Sequence, residues 1–183
     1  MTERVLVVAA THAEAAHVPA HLPVVVTGLG KTAAAVGVTE ALVGTQTDGL
    51  TVVNIGTAGA LRDDLAGLHE VGTVLNHDIN GDAIWALGYD PEDVLTVGEA
   101  DVVLASGDLF VTDPVVRTRL AERAHLVDME GYAVAFACGR FAVRVRLVKH
   151  VSDNADESAL DWPTVVDRSA RELGAWLAEH YPE

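Results

Sequence analysis

Apolar runs recur along the chain, separated by glycine-rich or polar breaks. Residues 5–10, 23–27, 50–55, 102–106 and 143–151 are rich in Val, and several show no polar alternation. That pattern predicts strands buried on both faces, as in a sheet covered by helices. Helical stretches lie between some of them. Residues 31–43 are Ala-rich. Residues 113–124 open with Thr-Asp-Pro, which puts Asp113 at an N-cap and Pro114 in the first turn. Residues 130–140 form a third helical stretch. Residues 162–180 place Val165, Val166, Ala170, Leu173 and Leu177 near helical spacing, so this last helix is expected to cap the sheet. Residues 69–98 show no clear period and read as a strand followed by loop. No repeat or linker-like stretch interrupts the chain. The expectation is one α/β domain over residues 1–183, a central mostly parallel or mixed sheet flanked by helices.

Composition narrows the partners. Apolar residues make up 50% of the 183 and charged residues 21%, which excludes general disorder. Twelve Lys and Arg against 27 Asp and Glu give a net charge of -15. Such a chain is not expected to bind nucleic acid or an anionic membrane by bulk electrostatics. Cys138 is the one cysteine, so neither an internal disulfide nor a Cys-rich zinc site can form. The apolar runs are too short to span a bilayer, and that of residues 1–10 is too short for a secretory signal. A cytoplasmic location is expected. His12, His17 and His21 cluster, but Pro19 breaks a helical pairing of the last two, and no metal is expected.

Two glycine-rich segments invite cofactor readings. Gly30-Lys31-Thr32 resembles the end of a phosphate-binding P-loop, but the required earlier glycine is Val25. Gly28, Gly30 and Ala33 fit a dinucleotide fingerprint. That fingerprint needs a carboxylate at the end of the next strand, which instead reads Val53-Asn54-Ile55-Gly56; Asp48 lies before it. A tight turn with close helix packing accounts for these glycines, and no cofactor is expected. The second segment, residues 54–61, puts small residues directly after a buried strand. It reads as room for a ligand at the strand's carboxyl end or as a plain connecting turn.

Carboxylates follow three further apolar runs: Asp108, then Asp128 with Glu130, then Asp153 with Asp156. Singly, each reads as a cap or turn residue, Asp156 above all. Together they describe a pocket rich in carboxylates and poor in cations, suited to a neutral polyhydroxylated or cationic ligand. Desolvation at such a site raises a carboxyl's pKa and makes it a proton donor near neutrality.

The segments TGLGKTAAA, VVNIGTAGAL, ASGDLF, VDMEGYAVA and VSDNADESA stand in the order and wording of the purine nucleoside phosphorylase/nucleosidase superfamily. The chain resembles most its hydrolytic branch, the methylthioadenosine/S-adenosylhomocysteine nucleosidases and futalosine hydrolases, from Val5 to about Trp162. The resemblance implies a phosphorylase/hydrolase-like α/β fold and hydrolysis of the bond between a purine and ribose. Asp153 matches the acid that protonates the imidazole-ring nitrogen of the leaving base, oriented by Ser152. Glu130 matches the carboxylate on the ribose hydroxyls, and Met129 the residue packed on the sugar. Phe110 matches the ring stacked on the base, and Val111 supplies backbone groups to its edge. Thr57 and Gly59 fall in the small ribose-side loop. Glu14 matches the base that activates water; an ungapped match would put Ala13 there, with His12 beside it. The implied partners are a small purine nucleoside and a second copy of the chain in a homodimer.

These roles make one mechanism. Cleavage leaves a cationic, oxocarbenium-like sugar that nearby carboxylates stabilise. A purine anion leaves poorly, so an acid at the base is needed. Phosphorolysis would need a cationic cradle. Residues 9–18 hold no Arg or Lys, and Arg62 is the one candidate near residues 56–61, so water is favoured over phosphate. A phosphorylase or a non-catalytic nucleoside-binding module is the alternative. The chain is short where the superfamily carries early extra strands (residues 14–27) and a longer loop and helix (residues 89–101). Those segments shape the 5′ pocket and the dimer contact. Lys149 stands where relatives often have Arg, and reads equally as a satisfied strand-end charge. Trp162 reads as an aromatic closing over the base or as a core anchor for the last helix. His77, Asp78 and Asp82 read as surface or strand-end residues that could face the pocket.

Overall fold

The computed structural model describes residues 4–183; Met1, Thr2 and Glu3, the start of the segment weighed above as a signal, lie outside it. The elements run β1 (Arg4–Ala9), β2 (Val24–Val26), α1 (Lys31–Leu42), β3 (Leu50–Ala60), β4 (Leu68–Glu70), β5 (Thr73–Asn76), α2 (Gly81–Ala86), β6 (Val94–Thr96), β7 (Val103–Ser106), α3 (Pro114–Ala121), β8 (Leu126–Asp128), α4 (Gly131–Arg140), β9 (Arg144–Asp153) and α5 (Trp162–His180), with a 3-10 turn (Glu157–Asp161) before α5. The strands form one mixed sheet in the order β2-β1-β3-β8-β7-β5-β6, with β9 pairing β3 and β4.

Strand β3 organises the sheet. Its first half runs parallel to β1, its opposite edge runs parallel to β9 from Thr51 to Gly59, and its last residues pair antiparallel with β8. Every residue of β3 except Thr57 is buried. This explains its unbroken apolar pattern, since neither face meets water. Helices α1 and α4 pack on one another over one part of the sheet, and α5 covers β9 and β3. Leu173 and Leu177 of α5 are fully buried with Val7, Val53 and Val148; each such leucine contributes about 1.5–3 kcal/mol. Asp113 caps α3 as its sequence predicts, accepting from the Val115 amide at 2.7 Å. Cys138 is buried in α4, where burial pushes its thiol up to about 12. No helix among the described residues is long and apolar enough to cross a membrane.

Three expectations are corrected. Residues 69–98 hold more than a strand and loop: β4, β5, α2 and β6 all fall in or beside them. These strands are three or four residues long, too short to show a period. Residues 56–60 are not a turn, because β3 continues through them as far as Ala60. Strand β9 likewise continues past Val151 to Asp153. Both extensions exist because the two strands keep pairing beyond their apolar segments.

Candidate active site

One cavity of about 440 Å³ opens at the carboxyl ends of β3, β8 and β9. It gathers the nine residues to which the resemblance assigns a role: Glu14, Thr57, Gly59, Phe110, Val111, Met129, Glu130, Ser152 and Asp153. They come from five separated segments, and the sheet order brings the strand ends together.

Glu14 is buried, whereas His12 and Ala13 are exposed. Its Oε1 accepts from the Thr57 amide at 2.8 Å and the Thr57 hydroxyl at 2.9 Å. Its Oε2 accepts from the Thr11 amide at 3.2 Å and the Thr11 hydroxyl at 3.0 Å. This orients the carboxylate in the cavity wall. Thr57 lies on β3 rather than in a loop.

Asp153 closes β9 at a bulge. Val151 pairs with Ala58 and Asp153 with Gly59, so Ser152 is the extra residue. Bulges re-aim side chains, and here the bulge places two consecutive polar groups at the cavity. The Ser152 hydroxyl donates to Asp153 Oδ2 at 2.6 Å, and the Ala155 amide donates to Oδ1 at 2.8 Å. Ala155 is buried with φ 52°, a left-handed turn that brings its amide back to the aspartate. Gly59 is required beneath: a Cβ there would stand 2.9 Å from Asp153 Oδ1 and 2.9 Å from Ala155 Cβ.

Glu130 is buried at the start of α4, and its Oε1 accepts from the Gly30 amide at 2.8 Å. Burial first, and then repulsion from Asp128, push its pKa up to about 7 against the pull of Lys149 and the Gly30 amide. The desolvation expected of the site's carboxylates therefore acts on Glu130.

Beneath these groups lies a charged layer that sequence reading did not resolve. Lys149 is fully buried inside β9, not at its end. Its Nζ lies 2.9 Å from Asp128 Oδ2 and donates to Asn54 Oδ1 at 2.8 Å. Burial alone would lower its pKa; Asp128 and Glu130 outweigh that and hold it above the ordinary lysine value. Asp128 also accepts from the Gly131 amide at 2.9 Å and from the Ser106 hydroxyl. The visible signal was Lys149 directly after Leu147 and Val148, the most buried stretch of β9, where a charge needs a buried counter-charge.

Leu29, Leu109, Val127, Leu160 and Pro163 complete the walls with Phe110 and Met129, giving an apolar slot beside the carboxylates. Trp162 is half-buried and lies outside the core clusters, so it is not a core anchor. It opens α5, and its indole N–H donates to Thr57 Oγ1 at 2.8 Å while the ring lines the cavity. The histidines near the start do not converge: His17 meets Asp167 at 2.8 Å and His21 the Tyr181 carbonyl at 2.9 Å. Asp78 joins a network with Lys31 and Asp108 behind the cavity rather than lining it, and Asp82 sits in the first turn of α2.

A mixed α/β sheet with an apolar slot and a set of oriented carboxylates at its strand ends defines an α/β protein built around a small-molecule site. The family model of the phosphorylase superfamily matches residues 95–179 of the chain. A 5′-methylthioadenosine/S-adenosylhomocysteine nucleosidase of Shewanella piezotolerans is 29% identical over 169 residues, covering 74% of this chain and 70% of that protein. An aminodeoxyfutalosine nucleosidase of Helicobacter pylori is 31% identical over 147 residues, covering 67% of this chain and 64% of that protein. Among solved structures, a Helicobacter pylori 5′-methylthioadenosine/S-adenosylhomocysteine nucleosidase superposes with a TM-score of 0.82 at 23% identity, covering 98% of each chain. A Helicobacter pylori futalosine hydrolase gives 0.81 at 22% identity, covering 96% of this chain and 97% of that one. These likenesses establish the fold.

Proposed function

We propose that the chain hydrolyses the N-glycosidic bond of a purine nucleoside, of the methylthioadenosine/S-adenosylhomocysteine or futalosine type. The observation that carries this reading is the placement of Glu14 and Asp153 in one cavity, each held by hydrogen bonds, with Glu130 between the glycine turn and α4. The names of the relatives, all nucleosidases, support it.

In this reading Asp153 donates a proton to the imidazole-ring nitrogen of the base as the bond lengthens. Ser152 orients it. The base lies against Phe110, with the backbone of Val111 at its edge. The ribose hydroxyls face Glu130, and Met129 packs on the sugar. Ionised Glu130 stabilises the positive charge that develops on the sugar. Glu14, fixed by Thr11 and Thr57, takes a proton from the attacking water. Each proton-transfer group is worth about 10²–10⁴-fold in rate. Water is preferred to phosphate because the buried cation, Lys149, is already engaged by Asp128 and Asn54.

The reading extends to a single catalytic unit over the whole chain, a homodimer and a cytoplasmic setting. The dimer is supported by Trp85, Leu87 and Tyr89, large side chains exposed in and just after α2. The cytoplasmic setting rests on composition, chiefly the lone cysteine.

The test is base release, followed by chromatography, from methylthioadenosine, S-adenosylhomocysteine, adenosine, inosine and a futalosine-type nucleoside, with and without phosphate. Phosphate-independent release that Asp153→Asn abolishes is expected. Release that requires phosphate would make the chain a phosphorylase. Binding without release from any of them would make it a nucleoside-binding module.

A further inference from the structure

Helix α1 begins without a cap of its own. Gly30 stands at its N-cap with φ 88° and has no side chain to receive the helix's first amides. Unsatisfied amides at a helix start carry partial positive charge and need acceptors. Two carboxylates from distant segments supply them. Glu130 accepts from the Gly30 amide at 2.8 Å, and Asp108 Oδ1 accepts from the Lys31 amide at 2.7 Å. A Cβ at Gly30 would stand 2.9 Å from Asp108 Oδ1, so glycine permits this approach.

The Lys31 side chain closes a ring. Its Nζ donates to Asn76 Oδ1 at 2.7 Å and pairs with Asp78 Oδ1. Asp78 Oδ2 in turn accepts from the Asp108 amide at 2.7 Å. Lys31 opens α1, while Asp78 and Asp108 follow the adjacent parallel strands β5 and β7. Asp108 is thus held through both backbone and side chain. Leu109, Phe110 and Val111 follow it directly into the cavity wall. Leu109 and Phe110 are each 48% exposed, so core packing does not hold them, whereas Val111 beyond them is buried with Leu75 and Ala105.

We infer that Lys31, Asp78 and Asp108 are positioning residues of the site: their ring of hydrogen bonds fixes the wall carrying Leu109, Phe110 and Val111 against the glycine turn that holds Glu130. The consequence for substrate rests on the proposed nucleosidase reading, in which Phe110 and Val111 meet the base. None of the three ring residues lines the cavity itself, so they act through their neighbours. Charge-assisted bonds between partly buried groups resist solvent better than surface pairs and still weaken with salt.

The test compares wild type with Lys31→Met, the near-isosteric Asp78→Asn and the conservative Lys31→Arg. Two readouts are taken: hydrogen exchange of amides 107–111, and the split between KM and kcat for methylthioadenosine. A misplaced wall costs roughly ten- to a hundredfold in kcat/KM. Most of that loss is expected in KM, with faster exchange at 107–111, unchanged exchange in α4, and recovery in Lys31→Arg. Unchanged exchange at 107–111 in both Lys31→Met and Asp78→Asn would overturn the inference, as would faster exchange spread evenly over the molecule. Should wild type release no base, the nucleosidase reading fails alone, and exchange at 107–111 still decides whether the ring holds the wall.

Discussion

Lys149 Nζ lies 2.9 Å from Asp128 Oδ2, and the two side chains are only 2% and 1% exposed. A buried pair of this kind contributes little net stability over an apolar pair, but removing one partner strands the other charge. Lys149→Met should therefore destabilise the fold by about 3–5 kcal/mol. Urea unfolding measures this. Adding Asp128→Asn should recover part of the loss, because it removes the stranded charge. A Lys149→Met protein as stable as wild type would overturn this account of the buried pair.

Glu130 gives two pH dependences of opposite sign. Its pKa rises on folding from the ordinary 4.5 to about 7. As pH rises, the unfolded chain loses this proton first. Its contribution is therefore fully present below 4.5, falls between 4.5 and about 7, and is lost above that. Within the window the slope is on the order of 1.4 kcal/mol per pH unit. Glu130→Gln should be more stable than wild type at pH 8 by a margin that vanishes near pH 4.5, read from denaturation midpoints. Under the proposed role the ionised form is the active one, so kcat/KM should rise through about pH 7 in wild type and be low and flat in Glu130→Gln.

Most of the site was legible only through the resemblance to a known superfamily; the chain's own pattern marked the carboxylates that follow apolar runs. The end of a buried strand is where backbone pairing stops and polar groups become tolerable, so Asp153 and Glu130 stood out. The layer under the site was harder to read. Lys149 and Asp128 are 21 positions apart and meet only because β9 and β8 flank the same end of β3. No local period encodes that. Residues 56–60 left a plain turn open beside room for a ligand because glycine and small residues usually end strands, whereas here they let β3 pass close to Glu14 and Asp153. The strands around β5 were missed because a three-residue strand has no alternation to detect.

Gly59 tests that close passage directly. Its backbone is not in the left-handed region, so alanine is conformationally acceptable there. The obstacle is space: the added Cβ would meet Asp153 Oδ1 and Ala155 Cβ, both at 2.9 Å. Asp153 is the softer of the two and should move. Gly59→Ala is expected to lose about 10²-fold in kcat/KM, the usual cost of misplacing a reacting group by an ångström. The loss should far exceed any change in thermal midpoint. Full activity in Gly59→Ala would show that Asp153 has no fixed position to lose.

Trp162 offers a spectroscopic reading of the cavity. Its indole N–H donates to Thr57 Oγ1, and that hydroxyl donates to Glu14 Oε1, so one relay links the aromatic wall to the carboxylate. Trp162→Phe keeps most of the ring's bulk and removes the donor. Thr57 keeps its amide bond to Glu14, so the relay loosens without breaking. The loss is that of one hydrogen bond, about 0.5–1.5 kcal/mol, or several-fold in rate. Of the three tryptophans, Trp85 is exposed in α2 and Trp176 stacks with His180 in α5; Trp162 is the one lining the cavity. Adding adenine or methylthioadenosine should therefore change the intrinsic fluorescence of wild type and of Trp85→Phe, but not of Trp162→Phe. A change that survives in Trp162→Phe and disappears in Trp85→Phe would put the ligand on the surface of α2 and remove the cavity from the mechanism.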